Sequence, residues 1–191
     1  MLESESESEE DFSIPGEPHG PGDIWLIPLK RLDDDARAIQ LGAVAELAVE
    51  VQQREFVGDP LRMMLISLEE ESRFPYVIES GGVAVGVLTL QSGAATLAGW
   101  PDDESVWLLR GFLIDSKCQG RGLGTLAARA SVEEARKLMA RLGGGQAGVV
   151  LSVNERNPAG LAAYTKAGFV DSGRYVGGSA GPQRTMYKSF G

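Results

Sequence analysis

The residues best able to do chemistry stand in a short glycine-rich turn, Gln119-Gly120-Arg121-Gly122-Leu123-Gly124-Thr125, and around one downstream tyrosine, Tyr164. The turn follows an apolar run and precedes a helical pattern. Glycines at such a junction let a ligand approach the main chain, and successive N–H groups at a helix start attract anions. Three phosphate-binding designs compete for it. A dinucleotide fingerprint, G-x-G-x-x-G, needs glycine at position 125, which is Thr125. It also wants an acid ~20 residues onward at the end of a second strand, whereas Glu133 and Glu134 fall in mid-helix. A P-loop needs Gly-Lys-Ser/Thr, and the sequence has none. What remains is Q/R-x-x-G-x-G, read at Gln119, Gly122 and Gly124. On its own this pattern leaves two readings open: an anion cradle, or glycines that serve only the turn.

The elements that must position these residues follow from periodicity. Residues 24–29 read as a strand. From Asp34 the spacing is helical, with Ala38, Leu41, Val44, Ala45 and Ala48 on one face and Asp33 to Asp35 at the helix's positive end. A second helix begins after Asp59-Pro60 and carries Leu61, Met64, Leu65 and Leu68, with Pro75 barring its continuation. Residues 76–79 and 83–90 form a hairpin across Gly81-Gly82. A long apolar strand over 105–115 is interrupted by Arg110 and Gly111. Residues 123–142 are helical, with Leu123, Ala127, Ala130, Leu138 and Leu142 on a stripe, and the glycines 143–145 end the helix. A strand over 148–153, a short helix over 158–167 closed by Gly168, and two short strands over 169–176 and 184–190 complete the chain. The expected fold class is α/β (α+β), a mixed sheet with helices on both faces in one domain.

Composition narrows the function classes. The chain has 191 residues, 43% apolar and 24% charged, which suits one globular domain with or without a tail. No run reaches the ~18 apolar residues that span a bilayer, and the acidic N-terminus is unlike a secretory signal. One cysteine, Cys118, closes no internal disulfide, and the single His19 lies in a tail-like segment, so neither a histidine triad nor a metal site is expected. A cytoplasmic protein is the expectation. Residues 1–23 carry eight acids and no Lys or Arg, and read as a disordered acidic Ser/Glu tail ahead of a domain over 24–191. Residues 24–104 carry 14 acids against 6 bases, a balance of −8, while residues 105–191 carry 5 acids against 12 bases, a balance of +7. This division suits a site that takes a cation on one side and a polyanion on the other. With no dense basic run interleaved with aromatics, nucleic acid is not an expected partner.

A second segment bears on the glycine turn: Asn154-Glu155-Arg156-Asn157-Pro158 leading into Tyr164-Thr165-Lys166-Ala167-Gly168-Phe169. With Gln119, Gly122 and Gly124 upstream, the pair of motifs resembles the GNAT superfamily of N-acyltransferases, in layout over 24–190 and in detail over 107–170. The resemblance implies a splayed central sheet with acetyl-CoA as co-substrate in the opening. Its pantetheine arm would pair with Phe112, Leu113 and Ile114. Its pyrophosphate would sit on the amides of Gln119, Gly120, Arg121, Gly122, Leu123, Gly124 and Thr125. Ser116 stands where the family often has proline.

Acyl transfer from a thioester to an amine needs an uncharged amine, stabilisation of the carbonyl oxygen and a proton for the departing thiolate. Tyr164, with a phenol pKa near ~10, is the candidate acid, against a plain packing role. Asn157 is the candidate ligand of the pantetheine arm, against or alongside a helix cap. Backbone N–H near Leu113 and Ile114 is the candidate for polarising the carbonyl. Glu104 is conceivable as a base but reads better as a solvated loop acid, and Cys118 as structural. Residues 51–57 and the strand from Trp107 also resemble a polyamine acetyltransferase-like branch, which implies Glu55, Phe56 and Trp107 at the acceptor, with Glu50, Glu55 and Asp59 as charges for a polycation. Other readings of the same fold are transfer to a protein N-terminus, lysine, amino acid or aminoglycoside, or a non-catalytic acyl-CoA sensor. Assembly as a homodimer is a further expectation.

Overall fold

A computed structural model describes residues 23–49, 58–178 and 181–191. Glu50, Glu55, Phe56 and His19, and the tail over 1–22, lie outside the described residues. The order is β1 (Trp25–Pro28), α1 (Asp34–Ala45), α2 (Pro60–Glu69), β2 (Arg73–Ser80), β3 (Val83–Gln91), β4 (Trp107–Ile114), α3 (Leu123–Leu142), β5 (Gly148–Asn154), α4 (Pro158–Ala167), β6 (Val170–Tyr175) and β7 (Gln183–Ser189). The seven strands form one mixed sheet in the order β1-β2-β3-β4-β5-β7-β6. No helix among the described residues is long and apolar enough to cross a membrane.

Helix starts follow local chemistry. Asp33 accepts the Ala36 N–H at 2.8 Å to open α1, and Asp59 accepts the Arg62 N–H at 2.7 Å to open α2 behind Pro60. The faces these helices bury differ in part from the expected ones. Ala38 and Ala45 are exposed, Ala48 lies past the end of α1, and Val44 with half-buried Leu41 makes the contact. In α2, Leu65 faces solvent while Met64 and Ser67 are buried. Leu142 of α3 is exposed and Ala130 only half-buried, the covered stripe being Leu123, Ala127, Ala128, Ser131, Val132, Ala135 and Leu138. Alanine has too little apolar area for burial to orient a helix, so an alanine-rich window leaves the face ambiguous. Pro75 stands inside β2 opposite Thr89, one residue beyond the last β1 pair at Tyr76; α2 has already ended at Glu69.

Apolar cores cover both faces of the sheet. On one, α3 and α4 pack over Ile78, Leu109, Ile114, Leu151 and Phe169. On the other, α1 and α2 contribute Val44 and Met64, packed with Val77, Val87 and Leu113. The sheet is not continuous between them. β4 runs parallel to β5 only through Trp107↔Val149 and Leu108↔Val150, and no strand among the described residues pairs with that edge of β4 further on. On its other edge β4 holds an extra residue. Val87 faces Leu113 and Thr89 faces Arg110, so Leu88 stands against both Gly111 and Phe112. Gly111 takes φ +57, a conformation other residues enter at a cost. The bulge redirects β4, and the splayed sheet expected for the glycine motif results.

Gly86 pairs with Ile114, and a Cβ there would run into the Leu113 carbonyl oxygen. Gly86→Ala should therefore force β3 and β4 apart and cost about 1–3 kcal/mol, read as a lowered urea midpoint with an unchanged slope. An unaltered midpoint would mean that the pair adjusts freely.

Candidate active site

The glycine turn is built by the strand before it and the helix after it. After Ile114 the chain makes a single 3-10 turn, Ser116–Cys118, and then reaches α3 through Gly120 (φ +74) and Gly122 (φ +80). The amides of Gly120 through Gly124 donate to no acceptor among the described residues, whereas Thr125 and Leu126 close onto the Gly122 carbonyl at 3.1 and 3.2 Å. A Cβ on Gly120 or Gly122 would meet nothing within 4 Å, so the space over the turn is open. Gly124 instead faces inward, where a Cβ would lie 3.7 Å from Ile114 and 3.8 Å from Ala163. Leu123 is buried in the core and anchors the helix start. Five oriented donors at the positive end of a twenty-residue helix form a place for an anion.

Asp115 holds this turn in place and is not among the site residues expected from the sequence. Its carboxylate, 7% exposed, accepts the Lys117 N–H at 2.7 Å and the Ala48 N–H at 3.2 Å. Its own N–H donates to the Val85 carbonyl at 2.8 Å and its carbonyl accepts from Cys118 at 2.8 Å. Ser116 N–H reaches Ala48 O at 2.9 Å, and Gln119 Nε2 donates to Ile114 O at 3.0 Å. The Asp115 carboxylate thus ties the turn to the segment after α1, and the Asp115 backbone N–H ties it to β3. Cys118 is half-buried against the core.

Tyr164 lies on α4 with its ring edge-on to Phe112 at 5.6 Å and to Phe169 at 5.9 Å. It is 8% exposed, and its hydroxyl bonds to no described residue. Burial pushes the phenol above its usual value, so it keeps its proton throughout the neutral and mildly alkaline range. Phe112, Leu113 and Ile114 follow the bulge directly. Phe112 and Ile114 lie on the Tyr164 side, and Leu113 packs with the α1–α2 core. Asn157 caps α4, its Oδ1 accepting the Gly160 N–H at 2.9 Å.

Beyond the gap, on the α2 side, lies a cavity of about 430 Å³, with Met63, Ile66, Arg73, Leu108, Arg110, Gly111 and Ser152 among the residues on its wall. Its charged residues were not predicted. The one visible signal was an arginine inside an otherwise apolar strand. Arg110 is half-buried, and burial, then the like charge of Arg73, hold its guanidinium below the usual range. The structure does not bring Trp107 to this wall. It is 1% exposed in the α3-side core, edge-on to Phe74 at 5.6 Å, because β4 is still paired to β5 at that residue. Glu104 is an exposed loop acid ahead of β4, and Asp59 is occupied as a helix cap.

An open sheet with an anion cradle at one helix start, a buried phenol beside the opening and a cavity behind it defines an acyl-CoA-type transferase. The sequence matches the acetyltransferase (GNAT) family over residues 36–169, and the chain belongs to that family. It is an N-acetyltransferase. No curated protein sequence is significantly similar to it. Among solved structures, aminoglycoside acetyltransferase AAC(6')-Ib in complex with coenzyme A superposes with a TM-score of 0.63 at 20% identity, covering 87% of this chain and 95% of that one. Spermidine N-acetyltransferase from Vibrio cholerae, in complex with CoA and spermine, gives 0.59 at 14% identity over 87% and 95%. An acetyltransferase from Thermus thermophilus gives 0.56 at 21% over 87% and 96%. At these identities the likeness is one of fold.

Asp115→Ala strips acceptors from two backbone N–H groups and should cost about 1–3 kcal/mol, with the melting temperature falling by about 2–4 °C per kcal/mol. A variant that melts like the parent would show that the carboxylate does not hold the turn.

Proposed function

We propose that this protein transfers an acetyl group from acetyl-CoA directly to the primary amine of a small molecule, with residues 24–191 as the transferase domain and residues 1–23 as an appended acidic tail. The observation that carries the reading is the parting of β4 from β5. In this reading the parting connects the α3–α4 side, with its cradle and phenol, to the cavity on the α2 side. A cofactor lying along the unpaired edge of β4 and an amine entering from the cavity would meet in the gap.

The residues fit a pyrophosphate-bearing co-substrate. Donors at Gly120 to Gly124 are unclaimed among the described residues, and the space above Gly120 and Gly122 is clear. Bound acetyl-CoA supplies an activated carbonyl and a thiolate leaving group. In this reading, backbone groups at Phe112 to Ile114 hold the pantetheine arm and polarise the carbonyl, and Asn157 closes over that arm while capping α4. The amine nitrogen forms a bond to the carbonyl carbon as the carbon–sulfur bond breaks. Tyr164 gives its proton to the sulfur, and the surplus proton on the acylated nitrogen passes through water to restore the Tyr164 phenol. Catalysis rests on positioning and on a phenol that stays protonated at working pH.

The polyamine expectation draws no support from the described cavity wall. Glu50, Glu55 and Phe56 lie outside the described residues, Trp107 is in the core and Asp59 caps a helix. The relatives in the comparison include enzymes named for aminoglycosides and for spermidine, which leaves the acceptor to be read from this cavity.

Gly122→Asp adds a charge and a Cβ at φ +80 beside the phosphates, and should weaken acetyl-CoA binding by at least ~100-fold in calorimetry, some 2.7 kcal/mol. Retained affinity would place the pyrophosphate elsewhere. Tyr164→Phe should lower kcat by about 100-fold with acetyl-CoA affinity little changed. Because burial raises the Tyr164 pKa, the parental kcat should show no downward limb from this group below pH ~10. An alkaline limb near neutrality that disappears in Tyr164→Phe would overturn the raised pKa, and a Tyr164→Phe variant with parental kcat would remove the acid assignment.

A further inference from the structure

Two arginines on the cavity wall are held side by side, with no neutralising partner among the described residues. Arg110 Nη1 donates to Gln91 Oε1 at 2.8 Å, and Arg73 Nε donates to the same oxygen at 3.3 Å. Gln91 is 9% exposed, and its Nε2 donates in turn to Ser72 Oγ at 3.3 Å. Two donors converge on one amide oxygen, which orients both guanidinium groups and cancels neither charge. Among the described residues neither arginine forms an ion pair, and no Asp or Glu lines the cavity. Each guanidinium has five N–H donors, so most of them are left for a ligand. Arg110 immediately precedes the bulge at Gly111, which sets its side chain beside the gap in the sheet. The rest of the wall mixes apolar Met63, Ile66, Leu97 and Leu108 with the uncharged polar Ser67, Thr89, Ser152 and Gln183.

We infer that Arg73 and Arg110 together bind an oxyanion carried by the acceptor, so that the substrate is a small amine bearing a carboxylate or a phosphate rather than a polycation. The inference rests on the acetyl-transfer reading above and specifies its substrate class. A carboxylate or phosphate matches the guanidinium fork bidentately, and a ligand anion relieves the repulsion between two half-buried like charges. The lowered affinity of Arg110 for its proton has the same origin, burial and Arg73. A polyamine or aminoglycoside entering this cavity would instead bring positive charge toward two fixed cations. The acidic balance of residues 24–104 does not contradict this, because none of those acids that is described lies on the wall.

The test uses the full-length protein and follows thiol release from acetyl-CoA with matched amines. Free α-amino acids are set against their carboxamides, phosphoethanolamine against ethanolamine, and spermidine and kanamycin stand as polycations. The expected result is turnover of one anionic arm at least ~10-fold above its neutral counterpart and above both polycations, the carboxylate and phosphate arms showing which oxyanion is used. Arg110→Gln and Arg73→Gln should each raise KM for that amine by about 10- to 100-fold, and Arg110→Lys should restore part of the loss. Acetyl-CoA titration by calorimetry checks that each variant is folded and retains its cofactor site. Failure to bind acetyl-CoA in the parent would overturn the acetyl-transfer reading itself. Binding with preference for a polycation, equal use of charged and neutral amines, turnover of no anionic amine, or variants with unchanged KM would overturn this inference alone.

Discussion

Everything in this molecule depends on two strands that begin as neighbours and then separate. β4 and β5 share two register pairs and no more, and β4 carries its extra residue shortly beyond the last of them. A closed sheet would bury its backbone groups in a ladder and wall one face from the other. Here the bulge exchanges part of that ladder for an opening with an unpaired strand edge along it. Gly111 makes the bend inexpensive, and pairing to β3 on the far edge keeps β4 from drifting.

Around the opening, each functional group is held by something outside the site. The glycine turn hangs from Asp115, whose buried carboxylate and backbone bind Ala48, Val85, Lys117 and Cys118. Tyr164 is fixed by the rings of Phe112 and Phe169 and by an α4 helix capped at Asn157. The arginine pair is aligned by Gln91. Preorganisation of this kind places donors before a ligand arrives and lowers the ordering cost of binding.

Electrostatics act here at the scale of the cavity, not of the half-chain. The −8 and +7 balances of the sequence suggest an acidic acceptor side. The described cavity wall has the opposite sign, because surface acids such as Asp34, Glu69 and Glu70 point into water, where they are screened. What a bound molecule meets is Arg73 and Arg110, only partly exposed and in a medium of lower dielectric.

Much was legible in order along the chain. Glycine spacing at 119–124, the Asn-to-Tyr segment, the helix starts near Asp33 and Asp59, the cap at Asn157, and the bounds of α3 and α4 are local properties, set by backbone geometry within a few residues. They suffice to name a family and a cofactor turn. Which face of α1 is covered, whether Trp107 meets solvent or core, and what charge lines the cavity are different in kind. Each depends on which strand lies beside which, and on contacts between residues far apart in sequence: Ala48 with Asp115, Arg73 with Gln91 and Arg110, Leu113 with Val87. Side-chain type and spacing determine the local elements; burial, and with it the chemistry of the acceptor side, is decided only when the strands pair.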